Sequence, residues 1–315
     1  MANTTFSGPV RSENGFKTIS KTASTGVVHD RTQISGLMDA RRKYLYEPFL
    51  QRPGLNAINI VDPDADDAAA LAVTQAANKN FETLGTNYTT ALTTFSATQA
   101  GIVMTTATAD QDQGIILPHL DTNQTAWSGT KWGTENQVEW ECSISLPALD
   151  NQKVWAGLKL TNDQLPQTDA DQAYFYYASD TTNGQLIDDY SPWYFIYSVN
   201  GTDYLTNTGI SVAADTNYHF KISIDSDRKP SIFVNGVQYS VSTSAITAFD
   251  GSTSVTGTTQ ATIAANYSAT NANTQKGAAL KNDVDLIPYI GIENGAAAAE
   301  VLNVHYQAIS RHVFE

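Results

Sequence analysis

From Asn217 to Tyr239 the chain reads NYHFKISIDSDRKPSIFVNGVQY, and few architectures accommodate such a stretch. Phe220, Ile222 and Ile224 alternate with Lys221, Ser223 and Asp225, a period of two that buries one face of a strand and wets the other. DSDR breaks the run. SIFV and VQY then flank Asn235-Gly236, the pair best able to take the positive φ angles of a two-residue hairpin turn. Similar runs recur at 101–107, 114–120, 136–146, 153–161, 172–179, 193–199, 285–293 and 300–310. Many strands joined by short turn-rich links, with almost no helical period, predict a mostly-β antiparallel sandwich over 86–315. Residues 240–275 interrupt it with Ser, Thr, Ala, Gly and Asn and one charge, Asp250. That marks an insertion near 240–282, a working loop or a small β extension.

Two other segments precede the sandwich. Residues 1–60 lack a sustained period and scatter apolar anchors among Gly, Ser, Thr and charges, so they are expected to be an extended arm that gains order by lying along something else. At 61–85 one helix is expected as a linker. Asp62 suits the N-cap, Pro63 the first helical position, and Asp64, Asp66 and Asp67 the positive end of the dipole. Val73, Ala77, Phe81 and Leu84 form one apolar stripe, and Gly85 a terminator.

Charge is unevenly placed. The arm carries Arg11, Lys17, Lys21, Arg31, Arg41, Arg42, Lys43 and Arg52 against Glu13, Asp30, Asp39 and Glu47, a net +4 on a chain of net −14. An acidic body argues against general nucleic-acid or anionic-membrane binding, and a basic arm on it points to an acidic partner surface. No apolar run approaches the ~18 residues of a membrane span, and the first residues lack the apolar core of a secretory signal. Cys142, the single cysteine, excludes internal disulfides, fits a reducing cytosol and lies in a core-facing pattern.

Catalytic readings are weak residue by residue. Glu139 and Glu141 in VEWECSI share one strand face, ~7 Å apart, as paired-carboxylate glycoside hydrolysis would ask. Ser143 stands where a third acid is wanted, so an exposed pair opposite core-facing Trp140, Cys142 and Ile144 is the plainer reading. His29, His119, His219, His305 and His312 are scattered, His219 and His305 pointing outward; no nucleophile elbow, zinc spacing or phosphate-binding glycine loop occurs. No cofactor or metal is expected. Asp169 with Asp171 and Asp188 with Asp189 are acidic loop pairs, of which calcium would be the sharper reading and solvation the plainer. Tyr174 and Tyr176, with Trp193, put aromatics on strands apolar on both faces. This suits intramolecular packing, a protein interface or a glycan platform.

TNYHFKISIDSDRKPSIFVNGVQY, LIPYIGIENG and the closing VLNVHYQAISR resemble the C-terminal half of laminin-G/concanavalin-like jelly rolls. TTFSGPVRSENGF, GIILPHLDTNQTAW, KWGTENQVEWEC and WAGLKLTN resemble virion structural proteins of marine tailed phages, cyanophages above all. The resemblance implies a non-enzymatic, laminin-G-like decoration or cement protein on the outer capsid surface, made in the host cytoplasm. It implies no catalytic residues. Its partners would be the major capsid protein and further copies of itself. Phe6, Arg11, Phe16, Lys17, Arg41, Arg42, Lys43 and Tyr44 would carry the contact. The rival class is a receptor or adhesion module on a head fibre or tail, gripping host-surface glycan through Tyr174, Tyr176 and Trp193.

Overall fold

The alternation at 217–239 becomes three strands in the computed structural model, which describes residues 19–21, 28–30, 42–55, 80–118, 131–161, 169–179, 190–246, 258–259 and 276–313. In chain order the strands are β1 (Ile19–Lys21), β2 (Val28–Asp30), β3 (Arg42–Glu47), β4 (Gly54–Leu55), β5 (Phe81–Leu84), β6 (Thr93–Phe95), β7 (Ile102–Thr105), β8 (Gln113–Pro118), β9 (Glu139–Ser145) and β10 (Gln152–Lys159). They continue with β11 (Gln172–Ala178), β12 (Pro192–Val199), β13 (Thr202–Ser211), β14 (Tyr218–Ile224), β15 (Pro230–Val234), β16 (Val237–Tyr239), β17 (Thr258–Thr259), β18 (Ile287–Asn294) and β19 (Val301–His312). Sheet A runs β1-β2-β16-β15-β14-β9-β19-β7-β6, with β3 also paired to β19. Sheet B runs β17-β13-β12-β11-β10-β18-β8-β5-β4. Apart from two short parallel pairs, β13–β17 and β4–β5, neighbours are antiparallel. The fold is a jelly-roll β-sandwich.

The predicted hairpin forms as read. Asn235 (φ 50°) and Gly236 (φ 78°) supply the positive φ angles. The Asn235 side-chain oxygen accepts from His219 N at 2.9 Å, closing the turn on β14. At the DSDR break, Asp225 Oδ1 accepts from the backbone N–H of Asp227 and Lys229 (2.8 and 2.9 Å), an aspartate holding its own turn.

Between the sheets lies one apolar layer. Trp140, Cys142, Ile144, Phe220 and Ile222 of sheet A meet Val154, Leu158, Phe175, Trp193 and Phe195 of sheet B. Phe175 stacks on Phe220 across the layer with ring centroids 4.3 Å apart. A bulge between Val304 and Tyr306 shifts the β9–β19 register, which turns Gln307 inward, where it accepts from Trp140 Nε1 at 3.3 Å. β10 and β11 approach closely at Gly157: a Cβ there would stand 2.4 Å from Ala173 O and 2.5 Å from Tyr174 Cα.

Three expectations change at the N-terminal side. Arg42–Glu47, read as arm, is a six-residue strand in register with β19. Phe49 is 1% exposed and packs on Phe81, centroids 5.9 Å apart, so residues 42–49 belong to the sandwich. Phe81–Leu84, read as the helix end, is strand β5, paired antiparallel with β8, where tertiary pairing overrides local helix preference. Residues 61–79 of the expected helix, the arm before 42 apart from β1 and β2, and most of the 240–282 insertion lie outside the described residues.

Candidate functional site

Alternation places Ile115, Trp155, Tyr174, Tyr176, Tyr194, Ile196, Leu205 and Tyr289 on the outer face of sheet B, away from the core layer. Register makes them neighbours. Tyr176 is opposite both Trp155 and Tyr194, and Gly157 stands between Tyr174 and Tyr289. The Tyr174 ring meets Tyr176 edge-on at 6.4 Å and Tyr289 at 6.2 Å. All five aromatics are 1% exposed or less. Burial pushes the Tyr174 and Tyr289 phenols well above their ordinary range. Among the described residues Tyr174 Oη, Tyr289 Oη and Trp155 Nε1 have no hydrogen-bond partner, an arrangement that costs free energy unless something polar satisfies it.

Polar rows bound this aromatic centre at either end. At one, Lys159 Nζ lies 5.2 Å over the Tyr289 ring and 4.0 Å from Asp169, and both charged residues are buried. Nearby, Gln172 donates to Ser198 Oγ at 3.1 Å, and Ser198 Oγ donates to Asp203 at 2.5 Å. At the other, Lys153 Nζ lies 2.6 Å from Glu293 Oε1, and Gln113 Nε2 donates to Glu293 Oε2. The charges face partners, so the rows frame the aromatic centre without leaving a bare ion on it.

Trp193 does not join this face. Its neighbours Tyr194 and Ile196 point outward, so Trp193 points into the core, against Tyr177, Tyr218 and Phe220 at 4.8–5.5 Å. Tyr194 and Trp155 take the place expected of it. Tyr174 and Tyr176 do lie on this face, but both are buried and present no open surface to a partner or glycan.

The glutamate pair lies on the opposite side of the molecule, on the outer face of sheet A. Lys221 Nζ is 3.2 Å from Glu139 Oε2, and Ser223 Oγ donates to Glu139 Oε1 at 3.3 Å. Glu141 is not exposed as expected: at 8% exposure it is buried beside Tyr306, whose phenol is raised by burial first and by Glu141 second. His219 is exposed, as expected, while His305 sits in the β19 bulge with Nδ1 3.0 Å from Ala100 O and Nε2 3.1 Å from Asn217 Oδ1. Asp169 holds its own loop, accepting from Leu160 N, Thr161 N and Thr161 Oγ1 at 2.6–3.0 Å, and Asp171 accepts from Asn200 N at 2.9 Å. Asp188 and Asp189 lie outside the described residues, among which no group of three or more His, Cys, Asp or Glu is arranged to hold a metal.

Of the predicted contact residues, Phe6, Arg11, Phe16, Lys17 and Arg41 lie outside the described residues. Arg42 turns onto its own chain: its guanidinium donates to Gln137 O at 2.8 Å and to Ser310 Oγ at 2.9 Å. Lys43 and Tyr44 are half-buried on β3, opposite Arg311 and Ser310. Tyr46 on β3 and Leu50 just after it, at 77%, are exposed, as is Phe95 on β6, at 52%, and Arg52 donates to Thr93 O at 3.0 Å.

No family model matches this chain. No characterised sequence is significantly similar to it either. Solved structures are. A protein of unknown function, SO2946 from Shewanella oneidensis MR-1, is 10% identical with a TM-score of 0.46, over 88% of this chain and 90% of that one. Bacillus licheniformis β-glucanase is 11% identical with a TM-score of 0.43, over 88% and 99%. Peanut lectin, solved with a nine-residue peptide, is 9% identical with a TM-score of 0.43, over 86% and 97%.

Proposed function

We propose that this protein is a non-enzymatic structural component of a phage virion, a decoration or cement protein that sits on the outer capsid surface and stabilises the shell. The resemblance of its N-terminal and body segments to cyanophage virion proteins supports the reading. The observation that carries it is the anchorage of the arm. Ahead of Arg42 the sequence holds five basic and three acidic residues, on a chain of net −14. The root of that segment is fastened by β3, by Arg42 on Gln137 and Ser310, and by Phe49 in the core. An arm fastened at its root transmits whatever grip it has on an acidic partner to the whole sandwich. Exposed Tyr46 and Leu50, on and just after β3, add apolar area at that root. Repetition over a symmetric shell multiplies weak contacts by effective concentration.

Deleting residues 1–41 tests this, because it spares β3 and, among the described residues, removes only the β1–β2 pair, which meets β16 at one register position. The truncated chain should stay folded and fail to sediment with capsids that retain the full-length protein. Undiminished capsid binding would overturn the proposal.

A further inference from the structure

Three neighbouring strands of sheet B each contribute one side chain to a single line. Gln113 on β8 is the register partner of Glu293 on β18, and Glu293 of Lys153 on β10. All three are buried, at 5%, 4% and 7% exposure, and the next residues on the same face are Ile115, Gly291 and Trp155. Glu293 Oε1 lies 2.6 Å from Lys153 Nζ, while Oε2 accepts from Gln113 Nε2. One carboxylate therefore touches a primary amine with one oxygen and a primary amide nitrogen with the other. Transamidation asks for this juxtaposition, because it must strip protons from the attacking nitrogen and deliver one to the leaving nitrogen.

We propose that Lys153 and Gln113 join in an intramolecular isopeptide bond, with Glu293 as the proton carrier. The ammonium passes a proton to Glu293 across the 2.6 Å contact, leaving a neutral amine. Its lone pair attacks Cδ of Gln113, forming the Nζ–Cδ bond and a tetrahedral centre. The Glu293 carboxyl then gives its proton to Nε2, and the carboxylate so restored takes the surplus proton from Nζ. The Cδ–Nε2 bond breaks with its electron pair on nitrogen, and ammonia leaves. Nothing is oxidised or reduced, and no outside reagent enters. Strands two apart stand ~10 Å apart, and the Lys153 and Gln113 side chains both lean toward β18 to meet the two oxygens of Glu293, so the amine has only to pass that carboxylate to reach Cδ. Burial keeps away the water that would turn the amide into a glutamate instead. Gln113 Oε1 has no hydrogen-bond donor among the described residues, so none of them supports the tetrahedral oxyanion and the bond forms slowly, as a maturation step.

The inference concerns sheet B alone and stands or falls independently of the arm deletion. Intact-mass spectrometry of the full 34.1 kDa chain is the test, on fresh protein and after days at physiological temperature. The aged protein should be lighter by about 17 Da, the ammonia expelled, and its digest should contain one branched peptide joining Gln113 to Lys153. Aged protein should melt roughly 5–10 °C above fresh protein, since the link closes the loop from β8 to β10. Glu293→Gln keeps the size and one of the two accepting oxygens but cannot take up or return a proton, and Lys153→Arg keeps a cation beside Glu293 but offers no amine to be acylated; both should retain full mass. A wild-type chain that keeps full mass on ageing overturns the proposal. So does a 17 Da loss that maps elsewhere, or a Gln113–Lys153 link that forms equally fast in Glu293→Gln.

Discussion

Phe49 decides whether the N-terminal segment is structural or merely attached. Its φ of 52° is a left-handed conformation that costs a non-glycine residue about 1–2 kcal/mol, so the surroundings must over-determine it. They do. The ring is 1% exposed against Phe81, Phe49 N donates to Glu47 Oε1 at 2.7 Å, and Asn80 donates to the other oxygen of Glu47 at 3.2 Å. Phe49→Ala removes the ring and keeps the unfavourable φ, so the loss is the transfer and cavity cost of a buried phenylalanine, about 3–5 kcal/mol. That is a large share of the roughly 5–15 kcal/mol by which a folded domain is stable. Leu50→Ala next door, at 77% exposure, should change stability by less than about 0.5 kcal/mol. Urea unfolding of the isolated chain measures both, and hydrogen exchange at the β3 amides reports whether 42–47 opens first. If residues 42–49 took their order from other subunits, the two variants would behave alike in dilute solution. A Phe49→Ala loss below about 1 kcal/mol would refute the assignment of this segment to the core.

Gly157→Ala should destabilise by about 2–3 kcal/mol or more in the same urea assay, because the added Cβ meets β11 backbone at 2.4–2.5 Å and two paired strands must part. Trp193→Ala should cost about 3–5 kcal/mol, measured by thermal or urea unfolding, as the residue sits in the core layer against Phe220. His219 is exposed at its rim but its ring lies against Tyr306 with centroids 6.1 Å apart, and it is held below the ordinary histidine range by this partial burial first and by His305 second. Its folded pKa being depressed, the unfolded chain takes up the proton first as pH falls, so stability present above the ordinary imidazole pKa is lost on acidification. Melting temperature should therefore fall less between neutral and mildly acidic pH in His219→Gln than in the native sequence.

Much of the sandwich was legible because it is written locally. Phe220, Ile222 and Ile224 announce a strand wherever they are placed, and Asn235-Gly236 a turn, since backbone sterics and alternation act over a few residues. β13 was missed because TDYLTNTGIS carries too many polar residues to alternate cleanly. It is a strand because β12 offers an edge with matching hydrogen bonds. β5 read as helix for the opposite reason, as the end of an alanine-rich run whose local preference lost to pairing with β8. The outer face of sheet B was half visible: Tyr174 and Tyr176 stood out, while Trp155 and Tyr289 lie in other strands. Trp193 was put on the wrong side because a strand apolar on both faces does not say which face is the core.

Composition and periodicity by themselves determined a mostly-β, acidic chain with a basic start, one core cysteine and a hairpin at Asn235-Gly236, all consequences of what neighbouring residues do to one another. Only the tertiary structure decided that Arg42–Glu47 closes against β19 and that Trp193 faces in while Tyr194 faces out. It alone aligned Gln113, Glu293 and Lys153 on three strands far apart in the chain. Register between distant strands follows from burying both faces at once, and that energy belongs to the assembled sheets and to no single stretch of sequence.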